Sequence, residues 1–332
     1  MIAAMAIAAG AAFADAPITS ANVVGFNTVE VGKDTFFLGG VQWAKAAGGD
    51  ASIQDVVKAN FAVQCYDKID TDEPEFKEYP EGEWTDWAPQ MQVDQGGGYS
   101  QFYYCTYTWD NSLGEWIEDE QCYSGDWQLN PMWCNADGTT LTADSSVILK
   151  PGTGIWLKAP KYGDAEKCVF TYSGAVPGET EVELEGTAFN LSAVSAPVNI
   201  DLNSKDFTWN LTAVQCYDKI DTDEPEFKTY IDAQGEACDF TGVAPQMQID
   251  QGGGYSQFFY CTHTWDNSLG EWIEDEKCYS GDWQLNPMWC NADGTTLTAD
   301  STVIVQPGVG VWFKVPNAGA EGYGFTLKDQ TK

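Results

Sequence analysis

The sequence predicts an all-β protein: two tandem, disulfide-bonded, antiparallel β domains, sandwich-like, each with at most one short helix. Three observations predict it. The stretch Ala88–Pro160 recurs almost residue for residue as Ala244–Pro316, so the chain reads as two copies of one unit. Gly is abundant at 33 of 332 residues and aromatics make up 14%, while long segments of helical period are nearly absent. Such a composition builds many short strands joined by turns. Finally, four Cys recur at matching places in the two copies, the mark of a disulfide framework.

The elements follow in order. Met1–Ala14 is an apolar run of small residues ending in Ala12-Phe13-Ala14. It reads as the apolar core and cleavage site of a secretory signal peptide, 1–14, and is too short to span a bilayer. Repeat 1 is then expected over 20–173 and repeat 2 over 174–332, each long enough for its own core. Ser20–Val31 reads as a strand, Gly32-Lys33-Asp34 as a turn, and Thr35–Trp43 as its partner strand. Ser52 with Asp55 three residues on is a capping box for one short helix. Val182–Val194 echoes this opening in the second copy. Ala62–Lys77 returns unchanged as Ala213–Lys228, after which the copies part over a surface loop, Glu78–Trp87 in the first.

Inside the duplicated block, Gly96-Gly97-Gly98 reads as a hairpin turn. Tyr99–Trp109 and Glu115–Tyr123 read as a hairpin that puts Tyr103 and Tyr107 on a solvent face and Phe102 and Tyr104 on the other. Asn135–Gly138 and Pro151-Gly152 are turns. On the strand Ile155–Ala159, positions 155, 157 and 159 are Ile, Leu, Ala in one copy and Val, Phe, Val in the other. They vary together with period two, as one buried face repacking. Trp156 and Lys158 point the other way.

Composition excludes several functions. The net charge is −34, and lysine supplies every positive charge because the chain has no Arg. It lacks the bidentate clamp for phosphate, and its field repels a nucleic-acid backbone and anionic lipid. The expected partners are polysaccharide or further copies of the chain, with no nucleic acid and no membrane span. His263 is the single His, and the matching position in the other copy is Tyr107, so no His-based triad or metal site can stand in both repeats. No phosphate-loop or nucleophile-elbow pattern appears.

The eight shared cysteines are Cys65, Cys105, Cys122 and Cys134, matched by Cys216, Cys261, Cys278 and Cys290. Zinc is the competing reading, but it favours close pairs such as C-x-x-C, and none is present. Disulfides within each repeat are expected, Cys122–Cys134 and Cys65–Cys105 with their copies. Cys168 and Cys238 have no counterpart; they either pair across repeats or stay free.

The leader, the Ser20-Ala21-Asn22-Val23-Val24-Gly25-Phe26 opening, the P-G-x-G-[IV]-W-[LF]-K strand and the closing Val169–Gly174 resemble a group of secreted bacterial tandem β-repeat proteins of no known activity. The resemblance implies export and a β-rich fold, and it implies no reaction.

Two sets of residues could carry a ligand. Asp67, Asp70, Asp72, Glu73 and Glu75, repeated as Asp218, Asp221, Asp223, Glu224 and Glu226, put five carboxylates into nine residues. Calcium, the candidate cofactor, takes six to eight hard oxygens from a flexible loop; a solvated acidic turn is the plainer alternative, and the EF-hand glycine is missing. Flat rings beside polar side chains suit sugar stacking. The expected platform is Trp127, Trp133, Tyr103 and Tyr107, with Trp283, Trp289, Phe259 and His263 in the second repeat. Core packing is the alternative for any one of them. The expected protein is secreted, extracellular or at the cell surface, and not an enzyme. Its leading role is structural or adhesive. The alternative is carbohydrate binding with one aromatic site per repeat, and a glycoside hydrolase stands third because carboxylates abound without a selected pair.

Overall fold

The computed structural model describes residues 24–45, 51–68, 75–94, 98–106, 131–138, 147–186, 189–219, 226–250, 254–262, 287–294, 303–316 and 323–329. Among them the chain is mostly β, with antiparallel sheets and no long helix.

The first half runs β1 (Val24–Gly32), β2 (Phe36–Gly40), α1 (Ile53–Val56), β3 (Val57–Ala59), β4 (Tyr66–Lys68), β5 (Glu75–Phe76), α2 (Trp84–Trp87), β6 (Gln90–Asp94), β7 (Tyr99–Cys105), β8 (Met132–Cys134), β9 (Gly154–Lys158) and β10 (Lys167–Ala175). A three-stranded sheet, β1-β10-β3, faces a five-stranded one, β2-β9-β6-β7-β8. The expected pairing of the first two strands does not occur. Asp34, at φ 53°, turns the chain out of one sheet and into the other, so β1 pairs with β10 and β2 with β9. α1 starts at the Ser52–Asp55 capping box. The first half holds a second helix, α2, inside the stretch read as a loop. Apolar Trp84 anchors it, being 4% exposed.

The second half repeats the plan. It runs β11 (Thr180–Leu184), β12 (Phe189–Ala193), β13 (Ile200–Asp201), β14 (Phe207–Asn210), β15 (Tyr217–Lys219), β16 (Glu226–Phe227), β17 (Tyr230–Ile231), β18 (Ala237–Cys238), β19 (Gln246–Asp250), β20 (Tyr255–Cys261), β21 (Met288–Cys290), β22 (Ile304–Val305), β23 (Gly310–Lys314) and β24 (Tyr323–Leu327). Its sheets, β11-β24-β14 and β12-β23-β19-β20-β21, match those of the first half strand for strand.

Each half has its own core, as the alternation on β9 requires. Ile155, Leu157 and Ala159 pack with Met91, Phe102 and Tyr104 in one, and Val311, Phe313 and Val315 with Met247, Phe258 and Tyr260 in the other.

The halves meet through equivalent residues. Gly40 N donates to Gly308 O at 3.0 Å, and Ala193 N donates to Gly152 O at 2.8 Å. Gly39 bridges Val309 while Ser192 bridges Thr153. Strand register makes Gly40 the counterpart of Ala193, and Gly152 that of Gly308, so the two contacts are one contact made twice about a pseudo-two-fold axis. The approach is close enough to demand small residues. A Cβ on Gly40 would lie 2.0 Å from Ala193 Cβ, and one on Gly154 would lie 2.4 Å from Leu191 Cγ.

Candidate functional site

The outer face of the five-stranded sheet is set by the same alternation that builds the core. With Ile155 and Leu157 turned inward, Trp156 and Lys158 turn outward. Register lines up Leu38, Trp156, Gln92 and Gln101 in one row across the strands, and Phe36, Lys158, Gln90 and Tyr103 in the next. Phe36, Gln90, Gln92, Gln101, Tyr103 and Lys158 line a groove of about 280 Å³.

Aromatic rings run from this groove across the axis. Phe36 meets Trp156 edge-on at 6.1 Å, Trp156 meets Trp312 at 6.2 Å, and Trp312 meets Phe189 edge-on at 6.2 Å. Tyr99 and Tyr255 extend the strip at either side, each beside its tryptophan. The outer rings of the strip are open, Phe36 and Phe189 each 50% exposed, Tyr99 40% and Tyr255 46%, while Trp156 and Trp312 between them are half-buried. Apolar rings left in water at equivalent places in both halves form one surface, whereas isolated exposed apolar residues would be ordinary.

Charge and hydrogen bonding fix the rings. Lys158 sits 5.3 Å from the centre of the Phe36 ring and 3.1 Å from Asp34. Lys314 sits 5.7 Å from the Phe189 ring centre. Partial burial raises the Tyr99 hydroxyl above its ordinary range, the Asp94 charge adds to this, and the Trp156 side-chain hydrogen bond opposes it. Tyr255 repeats the pattern with Asp250 and Trp312. Both tyrosines therefore stay neutral donors at physiological pH.

The expected platform lies elsewhere. Trp133 and Trp289 are 0% exposed, so neither can meet a ligand. The Trp133 indole N–H donates to Val57 O at 2.7 Å inside the first core, and Trp289 packs edge-on against Trp209 in the second. Tyr103 and Phe259 do point to the outer face, but a second layer covers them. Trp84 of α2 packs edge-on on Tyr103 at 5.4 Å, and Phe240 does so on Phe259 at 5.8 Å. Burial first, then the Asp86 and Glu83 charges, push the Tyr103 hydroxyl up. Trp127, Tyr107, Trp283 and His263 lie outside the described residues. Phe36, Phe189, Tyr99 and Tyr255 are functional candidates that the sequence analysis misses. The alternation that turns Trp156 outward is the sequence signal that leads to the strip.

Of the acidic set, Asp67 and Asp218 lie on β4 and β15, and Glu75 and Glu226 on β5 and β16, the strands of two small bulged hairpins. Asp70, Asp72, Glu73, Asp221, Asp223 and Glu224 fall outside the described residues.

The second layer also holds cysteines. Cys105 bonds Cys134, and Cys261 bonds Cys290, in place of the expected Cys122–Cys134 and Cys65–Cys105. The reason is the pairing of β7 with β8, which sets Cys105 opposite Met132 and Tyr103 opposite Cys134, so the two cysteines stand diagonally across adjacent strands, two positions out of register. Cys65 and Cys216 converge on the bridges: the three sulfurs of each half lie within 4.8 Å of one another, all buried. Cys122 and Cys278 lie outside the described residues. Cys168 is a buried thiol and Cys238 a half-buried one, and neither is bridged. The bridges are consistent with an oxidising, extracellular setting. No helix among the described residues is long and apolar enough to cross a membrane.

The chain matches no protein family, no curated protein and no solved structure.

Proposed function

We propose that this is a non-catalytic, exported adhesive protein that binds uncharged polysaccharide through the aromatic strip. The observation that carries the reading is the continuity of the strip. Phe36, Trp156, Trp312 and Phe189 form one run of rings across the axis, flanked by Tyr99 and Tyr255. Sugar rings offer apolar C–H faces and equatorial hydroxyls. Exposed rings take the first, and the carboxamides of Gln92 and Gln101 suit the second. The net charge of −34 sets the preference for neutral over acidic glycans by like-charge repulsion. Two equivalent half-sites on one chain raise apparent affinity by roughly 10² to 10⁴ when both engage one fibre, which suits individually weak stacking.

The test is retention of the full exported chain on insoluble neutral polysaccharides such as cellulose, chitin and β-1,3-glucan. Trp156→Ala with Trp312→Ala is expected to release it, with an unchanged far-ultraviolet spectrum. Equal retention of the double variant, or failure of the parent chain to bind any neutral glycan, refutes the reading.

A further inference from the structure

The second layer contains a feature that glycan binding leaves unused, the triangle of sulfurs repeated in each half. We infer that, once the Cys105–Cys134 and Cys261–Cys290 bridges are reduced, each half binds one thiophilic metal ion, of the Zn²⁺ or Cd²⁺ class. The ligands are Cys65, Cys105 and Cys134 in the first half and Cys216, Cys261 and Cys290 in the second.

Ligand chemistry decides the class of ion. All three donors are sulfur, whereas Ca²⁺ and Mg²⁺ require oxygen. Zinc–sulfur bonds are about 2.3 Å long, so two sulfurs at tetrahedral angles on one ion stand roughly 3.8 Å apart. The sulfurs of each triangle already lie within 4.8 Å of one another, and opening the bridge lets the bonded pair spread to that spacing by side-chain rotation. All six sulfurs belong to fully buried residues, beside Trp84 and Tyr103 in the first half and Phe240 and Phe259 in the second.

The triangle does not depend on the bridge for its shape. Cys105 and Cys134 sit on paired strands, joined through Tyr103↔Cys134, Tyr104↔Trp133 and Cys105↔Met132. The segment carrying Cys65 is tied to the same strand, since Val63 N donates to Tyr104 O at 3.2 Å and Thr106 N donates to Val63 O at 2.9 Å, and it is held on its other side where Lys77 N donates to Cys65 O at 2.9 Å. The second half has the same ties, from Thr262 N to Val214 O and from Lys228 N to Cys216 O. Main-chain hydrogen bonds therefore hold the three ligands together when the disulfide opens.

The steps balance. A water-soluble phosphine reduces each bridge to two thiols and is oxidised to its oxide with the oxygen of water. The ion then displaces three thiol protons per site, as metal binding to cysteine does. A small-molecule disulfide reverses the process: its S–S bond is reduced to two thiols, the protein bridge re-forms, and the ion leaves. Metal occupancy is thus coupled to the redox state of the chain.

The experiment uses the full exported chain, reduced with the phosphine, cleared of metal and given Zn²⁺ or Cd²⁺. Native mass spectrometry counts the ions, and Cd²⁺ uptake is followed by thiolate charge-transfer absorption. The expected result is two ions per reduced chain, none in the oxidised chain, and release when a disulfide compound is added. Cys65→Ser, which leaves the Cys105–Cys134 bridge available for folding, is expected to bind one ion. Cys65→Ser with Cys216→Ser is expected to bind none. Two ions on the double variant overturn the assignment. So does a reduced parent chain that takes up no ion, whether it stays folded or unfolds.

Discussion

The junction between the halves makes a quantitative prediction through Gly40→Ala. Gly40 lies in the extended region, so alanine fits its backbone, and any penalty is steric. The added methyl would lie 2.0 Å from Ala193 Cβ, and 3.2 Å from both Ala193 Cα and Val309 O. The first contact is impossible and two backbone atoms stand close behind it, so the halves must move apart. Overpacking of this kind costs about 1–3 kcal/mol. For a unit of this size each kcal/mol shifts the melting temperature by about 2–4 °C, giving a fall of about 2–12 °C. Ala193 is the counterpart of Gly40 across the axis, so the compensating change is its exchange. In Gly40→Ala with Ala193→Gly the 2.0 Å contact disappears and only the 3.2 Å contacts remain. The double variant is expected to recover most of the loss, as contacting residues in a double-mutant cycle do. Calorimetry of the parent, both single variants and the double variant measures it. A neutral Gly40→Ala, or a double variant as unstable as the sum of the singles, would refute the packing described for this junction.

Two more predictions concern titrating groups. Burial pushes the Asp55 carboxyl up, but the Ser52 backbone hydrogen bond, the Lys45 and Ser52 side-chain hydrogen bonds and the Lys45 charge outweigh it, and the net shift is downward. A depressed folded-state value adds stability above the unfolded value, which is lost as pH falls through the folded one. Asp55→Asn should thus lower the melting temperature at neutral pH and flatten its decline below about pH 4. A pH profile parallel to the parent's would count against the capping box. Burial pushes the Cys168 thiol up to about 12, so in the native chain at about pH 8 it should resist iodoacetamide and react only on unfolding. Peptide mapping after native and denatured labelling checks this, and native modification of Cys168 would contradict its burial.

Local alternation made much of the fold legible. The period-two variation at 155, 157 and 159 identified the core face of β9, and the Ser52–Asp55 spacing identified α1. What local pattern cannot carry is what lies over a face. Tyr103 alternates outward as expected, yet Trp84 arrives from α2 to cover it, and α2 lies where the two copies diverge. Hairpin logic failed at Gly32–Asp34 for a related reason. A tight turn joins two strands whether they pair or enter opposite sheets, and only the partners β9 and β10, more than a hundred residues on, decide which. Cysteine spacing could not choose a pairing because Cys65, Cys105 and Cys134 converge on one point. The strip itself was half legible. Alternation turns Trp156 outward, but Phe36 and Phe189 lie where the repeats have drifted, and their equivalence emerges only from strand register.

The pseudo-two-fold junction has a further consequence at low protein concentration. Had the two units been separate chains, the contact of Gly40 with Gly308 and of Ala193 with Gly152 would be a subunit interface, populated only above its dissociation constant. Joined in one chain, the same contact becomes unimolecular, with a local concentration fixed by the connection. Trp156 and Trp312 then stay side by side at any protein concentration. Because this face is used up between the halves, in the closed manner of a two-fold contact, it leaves no free copy of itself to recruit a third unit.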